Sequence, residues 1–114
     1  SALGEELCRC IARGRRGAVT ELAVRLEKQR TDRDALASML ARGREIFAAA
    51  LLSLYGREME EKNREIAPVV AKNLTKAQIM STIELLERYH GECAYNVGVG
   101  HVLGALAAEL EGIL

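Results

Sequence analysis

The stretch from Thr31 to Gly56, TDRDALASMLARGREIFAAALLSLYG, limits the possible folds more than any other part of this chain. It contains no proline, and Leu36, Met39, Leu40, Ile46, Phe47, Ala50, Leu51 and Leu54 recur at helical steps along one stripe, interrupted only at Gly43. Such a pattern specifies an amphipathic helix of more than about 20 residues, which needs other elements to cover its apolar face. Thr31 is the expected N-cap, its hydroxyl accepting from the amide of Asp34, whose carboxylate suits the first turn. Gly56 supplies a left-handed stop after Tyr55.

The flanking segments read the same way. Leu3, Leu7, Cys8 and Ile11 share a face of a first helix, about Leu3 to Arg13, that Gly14 ends. After Arg15-Arg16-Gly17, a second helix places Val19, Leu22, Ala23 and Leu26 together. Both are too short to be stable alone, so packing must hold them. Beyond the charged loop REMEEKNREI, a short fourth helix carries Pro68 near its start, where a missing N–H does no harm. Thr75 and Gln78 form a capping box for a fifth helix, expected to turn Ile79, Ile83, Leu86 and His90 inward and to run to about Ala94. Asn96 is the expected cap of a sixth helix whose apolar face holds Val99, Val102, Leu103, Leu106, Leu110 and Ile113. No strand pattern competes. The expected fold is all-α, a single bundle of five to six helices over residues 1–114.

The C-terminal glycines raise the question of a phosphate cradle. Gly98, Gly100 and Gly104 give G-x-G-x-x-x-G, one residue longer than the dinucleotide fingerprint, and a helix rather than a strand precedes them. A packing role fits better. Gly100, Gly104, Ala108 and Gly112 fall at i, i+4, i+8 and i+12 on the last helix, a row of small residues that lets another backbone come close. These four are the candidate interface, and Thr31, Thr75 and Asn96 the candidate caps.

Nothing in the chain proposes a catalytic centre or a bound cofactor. Ser38, Ser53 and Ser81 lie inside helices without an elbow, oxyanion loop or base partner. Glu87-x-x-His90 is half of a di-iron signature, but His101 lacks a glutamate three residues earlier. His90 and Cys93 share a helix face, yet Cys8 and Cys10, two residues apart, cannot easily join them. Buried thiols acting as small hydrophobes are the simpler reading, and no metal is expected. Three cysteines, an odd number, suit a reducing cytoplasm, and no apolar run is long enough to cross a bilayer. The first residues, Ser-Ala rather than Met, suggest a piece of a longer protein.

Charge is balanced overall but unevenly placed. Residues 1–57 hold 11 Lys and Arg against 7 Asp and Glu, a surplus of 4, while residues 58–114 hold 5 against 9, a deficit of 4. Acidic residues are interspersed among the arginines, and aromatic residues are only 4% of the chain, so solvated helix faces are a better reading than a nucleic-acid surface.

The order of elements, with Thr31-Asp32-Arg33 leading into the long helix, LLSLYG closing it, Ala71-Lys72-Asn73-Leu74-Thr75 before the fifth helix, and Asn96 before the last, resembles the C-terminal collar domain of the delta-prime subunit of the bacterial DNA polymerase III clamp loader. The similarity runs from about Gly4 to Leu114. That family usually reads N-x-N-x-x-L near the last helix, and here Gly98 stands where the second Asn would be. The resemblance implies a cytoplasmic, non-catalytic assembly domain preceded by an AAA+ module. Its partners would be the other clamp-loader subunits, with no membrane and no direct nucleic-acid contact expected. The alternative is a stand-alone helical adaptor that self-associates.

Overall fold

A computed structural model describes residues 2–114 of the chain. Six α-helices follow in order: α1 (Ala2–Ala12), α2 (Ala18–Lys28), α3 (Arg33–Ser53), α4 (Ala67–Asn73), α5 (Lys76–Glu92) and α6 (Val99–Ile113). One 3-10 turn, Glu61–Asn63, lies in the α3–α4 connection, and no strand occurs among the described residues. The molecule is a helical bundle. No described helix is long and apolar enough to cross a membrane.

The long helix α3 is the hub, packed against α1, α4 and α5. Most of its stripe is buried as the periodicity requires, with Leu36, Met39, Leu40, Ile46, Phe47 and Ala50 in the core, but Leu51 is half-buried and Leu54, beyond the last turn, is exposed. Gly43 does not interrupt this stripe. It is buried within it, and a Cβ there would meet Leu86 Cδ1 at 3.4 Å and Leu7 Cδ2 at 3.5 Å. Gly4 on α1 meets α3 still more closely, since a Cβ would lie 2.4 Å from Cβ of Arg42 and 3.0 Å from the Met39 carbonyl. Glycine at position 4 lets the α1 and α3 backbones approach in a way a methyl group forbids, whereas a methyl at Gly43 would make ordinary van der Waals contacts with side chains.

Arg42, at the same crossing, is mostly buried, with 10% of its side chain exposed. Its Nη1 donates to Asn63 Oδ1 at 2.6 Å and Glu45 Oε1 at 2.8 Å, and its Nη2 donates to the Lys62 carbonyl at 2.6 Å. Glu5 Oε2 lies 3.3 Å away. One guanidinium thus fastens the loop before α4 to the centre of α3 and satisfies the buried Asn63.

Two of the three expected caps require correction. The N-cap of α3 is Asp32, whose Oδ1 accepts from the Ala35 amide at 2.8 Å. Thr31 instead completes the end of α2. Its amide donates to the Leu26 carbonyl at 3.1 Å, and Arg30 donates to the Glu27 carbonyl at 3.0 Å. This pattern of paired closing bonds needs a left-handed residue between helix and exit, and Arg30 supplies it at φ 55°. Asn96 does not cap α6 either, because Gly98 holds that position and makes no side-chain cap. Arg33 Nη2 donates to Asn96 Oδ1 at 3.4 Å and to the Val97 carbonyl at 3.2 Å, so α3 holds this segment outside the helix. Thr75 caps α5 as expected, with its Oγ accepting from Gln78 at 3.1 Å and Gln78 Oε1 accepting back at 2.9 Å.

The inward face of α5 also differs from expectation. Ile79 and Leu86 are buried, but Thr82, Leu85 and Tyr89 complete the set, while Ile83 is half-buried and His90 exposed. The phenol of Tyr89 explains the rotation, since it donates to the Glu109 carboxylate on α6, which also accepts from Arg88.

Candidate interaction surface

Helices α2 and α6 lie antiparallel, and two glutamates show why they stay together. Gly17, the residue before α2, has φ 87° and offers no side chain to cap the helix. Glu111, near the end of α6, does so from across the seam. Its carboxylate accepts from the Gly17 amide at 3.4 Å, the Thr20 amide at 3.3 Å and the Thr20 hydroxyl at 3.2 Å. An anion there answers both the unpaired N–H groups and the positive end of the helix dipole. At the other end, the Glu27 carboxylate of α2 lies over the first turn of α6, where a Cβ on Gly100 would meet its Oε2 at 3.1 Å. Each helix therefore sets a carboxylate beside the other's N-terminus.

This arrangement divides the four small residues of the α6 row. Gly100 is covered by Glu27 of its own chain, so it belongs to the α2–α6 seam. Gly104 and Gly112 face outward with nothing within 4 Å of where a Cβ would stand, and Ala108 between them is exposed. Beside this outward row, Thr20, Ala23, Val24 and Glu27 of α2 form the other wall of a shallow groove floored by Ala107. Val24 is 48% exposed, a β-branched apolar side chain on the surface of a short helix. The sequence reading missed Val24, although its place one residue outside the Leu22–Ala23 face was visible in the helical step.

None of the residues considered for chemistry lines this groove, and Glu87 and His90 share a separate cleft with Arg44 and Glu45, where Glu87 accepts from Arg44. Cys8 is fully buried, donates to the Gly43 carbonyl at 3.6 Å, and its pKa is pushed up to about 12 by burial. Burial also raises the Cys10 and Cys93 thiols, so all three remain protonated near neutral pH, the form that is a poor nucleophile and ligand. Cys93 donates to the Tyr89 carbonyl at 3.4 Å. Among the described residues, no three or more His, Cys, Asp or Glu side chains gather in a way that could hold a metal ion. Ser53 donates to the Ala50 carbonyl at 2.7 Å, and Ser38 and Ser81 are exposed.

In comparison with known proteins, no family model, no curated protein and no solved structure matches this chain.

Proposed function

We propose that this chain is a non-catalytic assembly domain that joins a neighbouring subunit through the outward face of α2 and α6. The observation that carries this reading is the open row of Gly104, Ala108 and Gly112 beside exposed Val24. A row of small residues costs helix stability, about 1 kcal/mol per Gly relative to Ala. A neighbour that packs closely on the row offsets that cost. The seam behind it is filled by buried Leu22, Leu26, Leu103 and Leu106 and closed by the Glu111 cap, so the face is presented preorganised.

The finer reading is the collar domain of a delta-prime-like subunit of the bacterial DNA polymerase III clamp loader, acting in the cytoplasm in sliding-clamp loading. What supports it is the order of elements and the local signatures, each with a physical role here. Asp32 starts the long helix, Gly56 ends LLSLYG with φ 85°, and Thr75 opens α5. In that role the domain holds subunit order while ATP and DNA are handled elsewhere in the assembly. Its uneven charge favours orientation among unlike neighbours.

The test is size-exclusion chromatography with light scattering on the domain, alone and mixed with collar domains of the other clamp-loader subunits. A monomer that enters a complex only with those partners is expected, and Gly104→Leu should abolish the complex while leaving helicity unchanged. A homodimer indifferent to the partners would replace this reading with a stand-alone adaptor.

A further inference from the structure

The turn between α1 and α2 reads Arg13-Gly14-Arg15-Arg16-Gly17, and its three arginines are exposed. Contacts between segments remote in sequence bring more of the chain to the same end of the bundle. Asn73 Nδ2 donates to the Ala12 carbonyl at 3.0 Å, which sets the end of α4, with Lys72, beside the end of α1. The capping of α2 by Glu111 brings the end of α6, and Gly14, Arg15, Arg16, Glu111 and Leu114 line one cleft. Gln78 Nε2 donates to the Ile113 carbonyl at 3.4 Å, adding the start of α5 and Lys76. The Lys76 ammonium lies 4.5 Å from the centre of the Tyr55 ring, so the end of α3 closes the set.

The acidic groups placed there by contacts are already engaged. Glu21 pairs with Arg15, Glu65 with Arg9, and Glu111 caps α2. Arg13, Arg16 and Lys72 have no ion-pair partner among the described residues. Arg13 and Lys72 stand at the C-terminal ends of α1 and α4, where the helix dipole favours a cation, but their charge still faces water. Apolar surface is interleaved with this charge: Leu54 is 47% exposed, Tyr55 65% and Leu114 44%.

We infer that this end of the bundle docks an acidic segment of a partner protein that also carries apolar side chains. Charge and exposed hydrophobic surface together select that class. A phosphate backbone would use Arg13, Arg16, Lys72 and Lys76 but gains nothing from Leu54 or Leu114. An acidic segment with leucine or aromatic anchors uses both, the charges steering encounter and register and the apolar contacts supplying desolvated area. This surface meets the α6 row only at the C-terminal end of α6, and Arg13, Arg16, Lys72 and Lys76 lie outside that row, so either can fail without the other.

The probe is a displayed library of short random peptides selected on the intact chain at low salt, with binding of a single-stranded oligonucleotide followed by fluorescence anisotropy in parallel. Selected peptides should be rich in Asp and Glu with interspersed Leu or aromatic residues. Their affinity should fall roughly tenfold in Arg13→Gln/Arg16→Gln, and again in Lys72→Gln/Lys76→Gln. These four side chains are exposed, so the variants should keep the helicity of the parent. Tyr55→Ala should weaken binding without altering its salt dependence. Three results would overturn the inference: no enrichment, enrichment of neutral or basic peptides, or peptide binding insensitive to the four substitutions. Oligonucleotide binding through these cations that exceeds peptide binding would overturn it in favour of nucleic acid.

Discussion

Gly4 and Gly104 are both glycines inside helices, and both lie where one helix meets another, but their surroundings are opposite. At Gly4 a Cβ would be driven into Arg42 and the Met39 carbonyl of α3, whereas at Gly104 it would enter open space. The close helix crossing of this molecule is therefore at α1–α3, where Gly4 admits it. On α6, Gly100 makes room for Glu27 of α2, but Gly104 and Gly112 bring no helix of the same chain closer. A glycine that its own fold requires and one that its fold merely tolerates look alike in the sequence, and only the second is available to a partner.

Substitution at the two sites separates them. Gly4→Ala should destabilise the protein by about 2–3 kcal/mol, since α1 must move away from α3 to admit the methyl. A urea midpoint unchanged from the parent would break the comparison at its tighter end. Arg42→Met removes the guanidinium at the same crossing and leaves buried Asn63 without its donor. A loss of about 2 kcal/mol is expected, with faster proteolysis within residues 57–66, checked by denaturant titration and limited digestion. Gly104→Ala should act in the opposite sense, raising stability by about 0.5–1 kcal/mol through helix propensity alone. Lower stability in that variant would mean that the row packs against its own chain.

The smallest effect concerns the polar tie between α5 and α6. Hydrogen bonds from Arg88 and then Tyr89 hold the Glu109 carboxyl below the usual carboxylate range. A carboxyl with a depressed folded-state pKa adds stability that is present above its ordinary pKa and lost as pH falls through the depressed one. The denaturation midpoint should therefore fall slightly on acidification through the carboxylate range, and Glu109→Gln should flatten that part of the profile. An identical profile in parent and variant would remove Glu109 as a pH-dependent contact.

Much of the bundle was legible before its structure. The faces of α2 and α3 could be read because apolar residues fill successive helical steps, and Thr75 because a reciprocal partner stands three residues on. The misread features each depend on a residue distant in sequence or on a competing local bond. Thr31 and Asp32 are adjacent residues both able to cap, and the choice falls to Asp32 because the end of α2, closed by left-handed Arg30, takes the Thr31 amide. Asn96 is held outside α6 by Arg33. The face of α5 turns because Tyr89 can reach Glu109 on another helix. At the candidate surface, the period-four row was visible, but not that Glu27 of α2 would cover Gly100 and leave the other three open. Arg42 read as one more solvated arginine, since Lys62 and Asn63, which it fastens, lie within a loop about 20 residues away.

The Glu111 cap on α2 also orders events in time. The carboxylate and the amides it serves are separated by 91 and 94 positions, so nearly the whole described chain must be in place before α2 receives its N-terminal partner. During synthesis from the N-terminus, α2 leaves the ribosome long before Glu111 does, and until then it is a short helix with an open first turn. Its completion is a late, long-range closure, and such closures slow folding more than they cost stability. The α2–α6 face is consequently among the last features of the molecule to take shape. A partner that recognises it meets only chains that have finished folding.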